Sequence, residues 1–519
     1  MNTANPAALL RSLIIYAVVI PLAIVVGYLM TNPLDYESLG FMGVLIGVMV
    51  SPLLMRWHYE LLVFSWLLPS ALFFLPSRPS FFMFMVVVSL TISVVERILN
   101  RNQPFLPATP VRWPLFFLIA VVIMTAKLTG GFGIRSAGSD TYGGKKYFVF
   151  ILNALSFFAV TARPIPRKRA NFYIGLFFLG GCFTVVQDLY PIVPSSLRFI
   201  YMVLPASNSG LDASGNYSLV VGQTRLGGVG MAAGAGIWWL LSRHGMREGI
   251  LTAKIWRPIL FSLLFALVFL GGFRSAIIGL LVILAVFFYC ERIYRTGAML
   301  VVIMGTLLGG ALLVPLAPHL PYTFQRALTF TPLDLDPEAR LDAEGSSEWR
   351  LAIWTALLPE VPKYLLLGKG YTFSAETFND SMMADSMFRG KNFTDASQDN
   401  LAISGDFHSG PLSVVIPFGI WGAIGWLWFV TAGGYVVWRN YRYGDPELGH
   451  INLFFLAFFI SKCVMFFFIV GSLVDDTSAF AGSVGLSVAI NHGIMGRRTV
   501  SQAKTTTFRE FATGRRAMA

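Results

Sequence analysis

The chain has 519 residues, of which 55% are hydrophobic and only 13% charged, about half the charged fraction of a soluble domain. A mean hydropathy of +0.66, gathered into apolar blocks of membrane-spanning length, excludes a soluble enzyme, a disulfide scaffold and a disordered chain, and predicts an all-α polytopic membrane protein. The net charge of +12 and pI near 9.6 would raise the question of nucleic acid in a soluble chain; here the answer depends on where the charges fall.

In chain order, a window of about 19 residues predicts spans near 11–30, 38–55, 59–76, 80–96, 112–127, 146–162, 171–189, 224–242, 257–272, 274–290, 297–315, 410–436, 449–470 and 478–495. The expectation is 12 to 14 transmembrane helices. They fall into N-terminal helices (1–169), a core (170–317), one long loop (318–409), C-terminal helices (410–495) and a basic tail (496–519). The first span has little basic character before it beyond Arg11 and no small-x-small cleavage pattern before Tyr28, so it reads as a retained anchor. Alternate short connections carry the basic residues, among them Arg97, Arg163, Arg167, Lys168, Arg169, Arg243, Arg292 and Arg439, and the tail adds six more. With Arg11 and the tail included, that side holds 23 of the 39 Lys and Arg residues, which orients it, both termini included, to the cytoplasm. That face is near +16 and the remainder near −4. The basic pI is thus a topology signal, and a nucleic-acid partner is not expected. Three cysteines, Cys182, Cys290 and Cys463, lie inside predicted spans with no metal-ligand spacing, so neither disulfides nor a metal site is expected. The glycines from Gly227 to Gly236 read as a helix-packing surface rather than a nucleotide loop.

On the outer side, the loop from Pro318 to Ser409 is 92 residues long, well beyond what a connection needs. It carries an acidic stretch from Asp334 to Glu348 and then an amphipathic helix signal. Ser346 or Ser347 is the expected cap, and Leu351, Trp354 and Leu358 repeat at helical spacing. Pro362 and Gly368-Lys369-Gly370 close that element, which is expected to lie across the mouth of the bundle. Three outer arginines stand at membrane boundaries: Arg225 at a span start, Arg274 in the tight turn Gly271-Gly272-Phe273-Arg274-Ser275, and Arg350 on the loop helix. Such side chains either snorkel, pair with an acid such as Asp188, or offer a planar donor fork to an anionic ligand; three on one face favour the ligand. His408 ends the loop and leads into a span, which would set a titratable imidazole at the rim of the membrane cavity, where it suits a general base.

The order Arg225-Leu226-Gly227, Phe273-Arg274-Ser275-Ala276, Trp349-Arg350-Leu351-Ala352-Ile353-Trp354, Gly368-Lys369-Gly370, and His408-Ser409-Gly410 followed by Phe418-Gly419-Ile420-Trp421-Gly422 resembles the O-antigen ligase and polymerase superfamily over roughly residues 170–440. One departure is Ser409, where that family usually has Asn; serine retains hydrogen-bonding capacity. No clear second basic motif precedes Arg225, although Lys145 and Lys146 are candidates.

The resemblance implies a GT-C-like, metal-independent glycosyltransferase in the bacterial inner membrane, with its active site facing the periplasm and without a cofactor. Its donor would be a glycan on undecaprenyl diphosphate and its acceptor a hydroxyl of lipid A core or of another glycan. In that scheme Arg225, Arg274 and Arg350 bind the diphosphate. His408 is the base, with Asp406 or Asp399 next in line, and Trp354 and Ser409 are supporting residues. The polyprenyl tail would lie between apolar spans, because a loop with thirteen acids against seven bases does not attract an anionic donor. A repeat-unit polymerase of the same superfamily is the nearest alternative. A lipid-linked sugar transporter or flippase is more distant, since apart from Lys462 the spans carry few ionisable residues, and a peptidoglycan-type polymerase is more distant still.

Overall fold

The structure is a computed structural model and describes residues 36–75, 77–100, 108–133, 141–206, 225–251, 254–374 and 407–496, with scattered residues between 16 and 28. Half of the residues of the predicted first span therefore lie outside the described residues. Helix α1 (Tyr36–Ser65) bends at Trp57, where φ is −122° and ψ is 15°. It merges the two spans expected at 38–55 and 59–76, and the second of these is helical only to Ser65. Pro69 lacks the N–H that a longer helix would need and disfavours helical backbone in the residue before it, which accords with the early stop.

Helix α2 (Phe81–Leu99) is capped by Ser80, whose hydroxyl accepts from the Met83 N–H, and α3 covers Thr109–Leu128 and α4 Lys145–Thr161. A 3-10 turn at Arg167–Arg169 leads into α5 (Ala170–Cys182) and the short α6 (Thr184–Asp188). Next come α7 (Gly227–His244), α8 (Trp256–Phe269), α9 (Arg274–Cys290) and α10 (Ala298–Leu316). The tight pair around Arg274 is thus two helices, joined by the turn at 270–273. In the loop stand α11 (Tyr322–Ala327), α12 (Pro337–Leu357) and α13 (Val361–Tyr364), followed by α14 (Gly410–Tyr443), α15 (Gly449–Val464) with a π-turn at Met465–Ile469, and α16 (Leu473–Asn491). Seven segments of the described chain are long and apolar enough to cross a membrane. The protein is an all-α, multi-pass membrane protein.

Almost every residue of α16 is buried, and small residues let its neighbours close in on it. A Cβ on Gly482 would stand 2.6 Å from the Trp66 ring, and one on Gly485 would stand 3.4 Å from Val160. Polar groups inside the bundle pair across helices, as when Asn440 donates to Ser487 Oγ at 3.0 Å and Asn452 and Asn491 donate to each other's side-chain oxygens. Each such bond contributes about 0.6 kcal/mol in a membrane bundle. The expected packing role of the α7 glycines is met: Gly228 lies on the Thr184 carbonyl, Gly230 on Val268 O and Gly236 on Leu264.

The helix ends sort the charges. One end gathers Arg163 on Glu96, Arg167 on Asp445, and Glu291 accepting from the Met246 and Arg247 N–H groups. The opposite end holds the loop helices and the three arginines singled out above. Helix α12 starts about three turns before the expected serine cap: Asp336 accepts from the Glu338 N–H and Pro337 occupies the first turn. The acidic stretch is therefore the first half of this helix, and Ser347 sits mid-helix, donating to Ala343 O at 3.2 Å. An Asp-Pro-Glu start satisfies the cap, the first-turn proline and the helix dipole together, so it prevails over a mid-helix serine. As expected, α12 crosses the mouth of the bundle. Asp342 and Ala343 meet Arg225 and Arg274, while Trp354 and Leu357 pack with Phe407, Leu412 and Ile416.

Gly368-Lys369-Gly370 docks by its backbone on a break in α14. The Lys369 N–H donates to Ile416 O at 2.8 Å and the Gly370 N–H to Pro417 O at 2.9 Å, opposite Gly419, whose φ is +60°. Gly368 has φ +85° and a Cβ there would fall 2.2 Å from Pro417 O, so this motif and the Phe418-Gly419 motif are two halves of one joint. Beside it, β1 (Thr141–Tyr142) pairs antiparallel with β2 (Phe373–Ser374).

Candidate active site

A cavity of about 420 Å³ opens among α7, α9, α15 and the start of α16. Its α7 wall runs from Gly227 to Trp238, a depth of about 16 Å at 1.5 Å per residue, which is about half of the roughly 30 Å thickness of a bilayer's hydrocarbon core. The deep walls, including Trp238, Leu280, Ile283 and Phe458, are mainly apolar. The loop-side end is polar, with His408, Ser275, Ser461, Lys462, Ser472, Asp475 and Asp476.

His408 is held there by close backbone packing. Gly410 allows the start of α14 to press on the end of α15, since a Cβ would lie 2.2 Å from Phe466 O. The Trp354 indole donates to Phe407 O at 3.3 Å, fixing the residue just before the histidine. His408 itself adopts a left-handed φ of +47°, a conformation costly for a side chain with a Cβ and concentrated at functional sites. Ser409 is the N-cap residue of α14, though its side chain makes no capping bond. Asp406 and Asp399 lie outside the described residues.

Arg225 and Arg274 flank the mouth, adjoining the cavity residues Gly227, Phe273 and Ser275. Pairing with an acid is one of the open readings for these arginines, with Asp188 as an example; Arg225 Nη2 bonds Asp342 Oδ2 at 3.1 Å. Asp188 accepts from the Val229 N–H at 2.8 Å. The same Asp342 oxygen takes Arg326 Nε, and Arg326 Nη1 donates to Gly272 O at 2.7 Å. Arg274 Nη2 donates to Ala343 O at 2.7 Å and to Ser347 Oγ at 3.1 Å. Arg350 completes the group, and its Nε is buried without a hydrogen-bond partner among the described residues. Burial, followed by the charges of Arg274 and Arg326, pushes the Arg350 pKa down. Of these four guanidinium groups two, Arg225 and Arg326, are bonded to the Asp342 carboxylate, and among the described residues Arg274 bonds only a carbonyl and a hydroxyl, an excess of positive charge that favours an anion with several oxygens.

Two elements of this site carried no sequence signal. Arg326 and Asp342 sit in a loop dense with both charge signs and belong to no motif. Lys462 stood out only as an ionisable residue within a span; it is 3.3 Å from Asp476, which also accepts from the Ser472 N–H at 3.0 Å. Lys145 and Lys146 do not join the cavity. Lys145 donates to Ser77 O at 2.9 Å, and Lys146 lies 5.6 Å from the Tyr371 ring centroid. Among the described residues no cluster of three or more His, Cys, Asp or Glu side chains could hold a metal ion.

Residues 259–427 match the family model described as O-antigen ligase. The matched stretch contains Arg274, Arg326, Asp342, Arg350 and His408; Arg225 and the Lys462–Asp476 pair lie outside it. No curated protein matches the chain.

Proposed function

We propose that this member of the O-antigen ligase superfamily, whose partners are in general a lipid-linked glycan and an acceptor, is an inverting ligase. In this reading a glycan passes from undecaprenyl diphosphate to a hydroxyl of lipid A core or of another glycan, on the periplasmic face of the inner membrane. His408 removes the acceptor hydroxyl proton, the acceptor oxygen bonds to the anomeric carbon, and the bond from that carbon to the diphosphate oxygen breaks. The electron pair leaves with the diphosphate, where Arg225, Arg274 and Arg350, joined by Arg326, balance the developing charge without needing a metal. The apolar depth of the cavity suits the polyprenyl tail, which would enter sideways from the bilayer.

The observation that carries this reading is a cluster of four arginines, two of them on the Asp342 carboxylate, beside an apolar cavity whose polar end holds His408. The test is His408→Ala in cells and in membranes. Transfer should fall by roughly 10²–10⁴-fold, the usual contribution of a general base, with finished chains accumulating on the lipid carrier and with EDTA leaving the unmodified enzyme's rate unchanged. Full transfer by the variant would refute the base assignment. In a deletion strain, loss of long chains with single-unit capping retained would make the protein the repeat-unit polymerase of the same superfamily.

A further inference from the structure

A second groove lies far from the cavity, at the end of the bundle that gathers Arg163 and Arg167. It has a volume of about 650 Å³ and runs between the part of α1 beyond its bend and α5. Its walls are Trp57, Leu61, Phe64, Phe172, Leu176 and Leu179, with Glu60 and Arg169 at one end. The backbone is non-helical at Trp57, so α1 bends where it lines the end of this groove. From Arg169 to Leu179 the groove follows ten residues of helix, about 15 Å, which is half of the roughly 30 Å hydrocarbon thickness. That depth is one leaflet and too short for a spanning helix.

The two charges at its mouth are unspent. Among the described residues neither Glu60 nor Arg169 makes an ion pair. Glu60 accepts one hydrogen bond, from the Tyr173 hydroxyl at 2.7 Å, leaving its other carboxylate oxygen open. Trp57 is 47% exposed at the same level, as an indole at a membrane interface is. A carboxylate, a guanidinium and a leaflet-deep apolar trough have the charge pattern of a zwitterionic aminophospholipid. We propose that the groove is a binding site for phosphatidylethanolamine. Arg169 takes the phosphate, Glu60 accepts from the primary ammonium, and an acyl chain lies along Leu61, Phe64, Leu176 and Leu179. The site is independent of the transfer chemistry.

The test titrates the delipidated full chain in detergent with dioleoyl phosphatidylethanolamine, phosphatidylcholine and phosphatidylglycerol, counting bound lipid by native mass spectrometry. One molecule of the ethanolamine lipid should bind at least about tenfold tighter than the choline lipid, whose methylated nitrogen has no proton to donate to Glu60. Glu60→Gln should remove that preference, and Leu176→Trp, which fills the trough, should remove the tight site. Equal binding of the ethanolamine and choline lipids by the unmodified protein overturns the proposal whether or not the variants fold. A preference for phosphatidylglycerol overturns it too, by assigning the groove to cationic attraction alone. So does efficient disulfide formation between cysteines introduced at Leu179 and Ile24, which would show the chain's own first segment in the groove.

Discussion

Asp342 is the residue on which the arginine cluster depends. It holds Arg225 and the nearly buried Arg326 at once, and Asp342→Asn would leave four cations facing one another. Breaking a fully buried pair costs about 3–5 kcal/mol and an exposed one about 0–1 kcal/mol. With Arg225 and Asp342 each about a third exposed, the expected loss is about 2 kcal/mol. Thermal unfolding should show a lower Tm for Asp342→Asn, and inorganic diphosphate should raise that Tm more than it raises the parent's. At one hundred times its dissociation constant a ligand contributes about 2.7 kcal/mol, enough to offset the loss. Unchanged stability together with equal diphosphate shifts would remove Asp342 from this role. Arg225, Arg274, Arg350 and His408 could be picked out of the sequence because each is a polar intruder at an apolar boundary. Arg326 and Asp342 could not, since in a stretch with many charges of both signs only the folded backbone determines which two meet.

Among the elements, the joint between Gly368-Lys369-Gly370 and the break in α14 determines how the loop meets the membrane helices. A side chain at 368 meets both a φ of +85° and the Pro417 carbonyl, so Gly368→Ala should destabilise the protein by more than the roughly 1 kcal/mol lost on conformation alone. Circular dichroism melting of purified protein reads this directly, and a Tm within error of the parent would show that the joint tolerates a Cβ. The motif was visible in the sequence, but its role was not: glycine spacing reports that backbones approach and is silent on which ones. The start of α12 failed for a different reason. Leu351, Trp354 and Leu358 form an apolar period at helical spacing, and the acidic stretch is expected ahead of that helix; yet Asp336-Pro337-Glu338 is itself a complete helix start. The fused α1 shows the same limit, since a hydropathy window reports apolar length and cannot see that the helix stops at Ser65, ahead of Pro69.

Over the whole molecule, the segregation of charge to two ends was legible from lysine and arginine positions, because it follows from the cost of carrying cations through lipid. We expect the end with Arg163 and Arg167 to face the cytoplasm. Single cysteines introduced at Lys168 and at Ser195 in a chain lacking Cys182, Cys290 and Cys463 test this with a membrane-impermeant maleimide on intact spheroplasts. Position 195 should label at once and position 168 only after lysis; the reverse pattern would invert the protein and move the cavity to the other face. The helices themselves were also legible, whereas the cavity was not, for it arises where α7, α9, α15 and α16 fail to fill the space between them.

The carboxylate held between Arg225 and Arg326 also sets what an incoming anion gains at those two guanidinium groups. An ion that displaces Asp342 from them must bring more charge than the single unit it replaces. Chloride or acetate therefore gains little there, whereas a group with two or more negative charges gains with each additional unit.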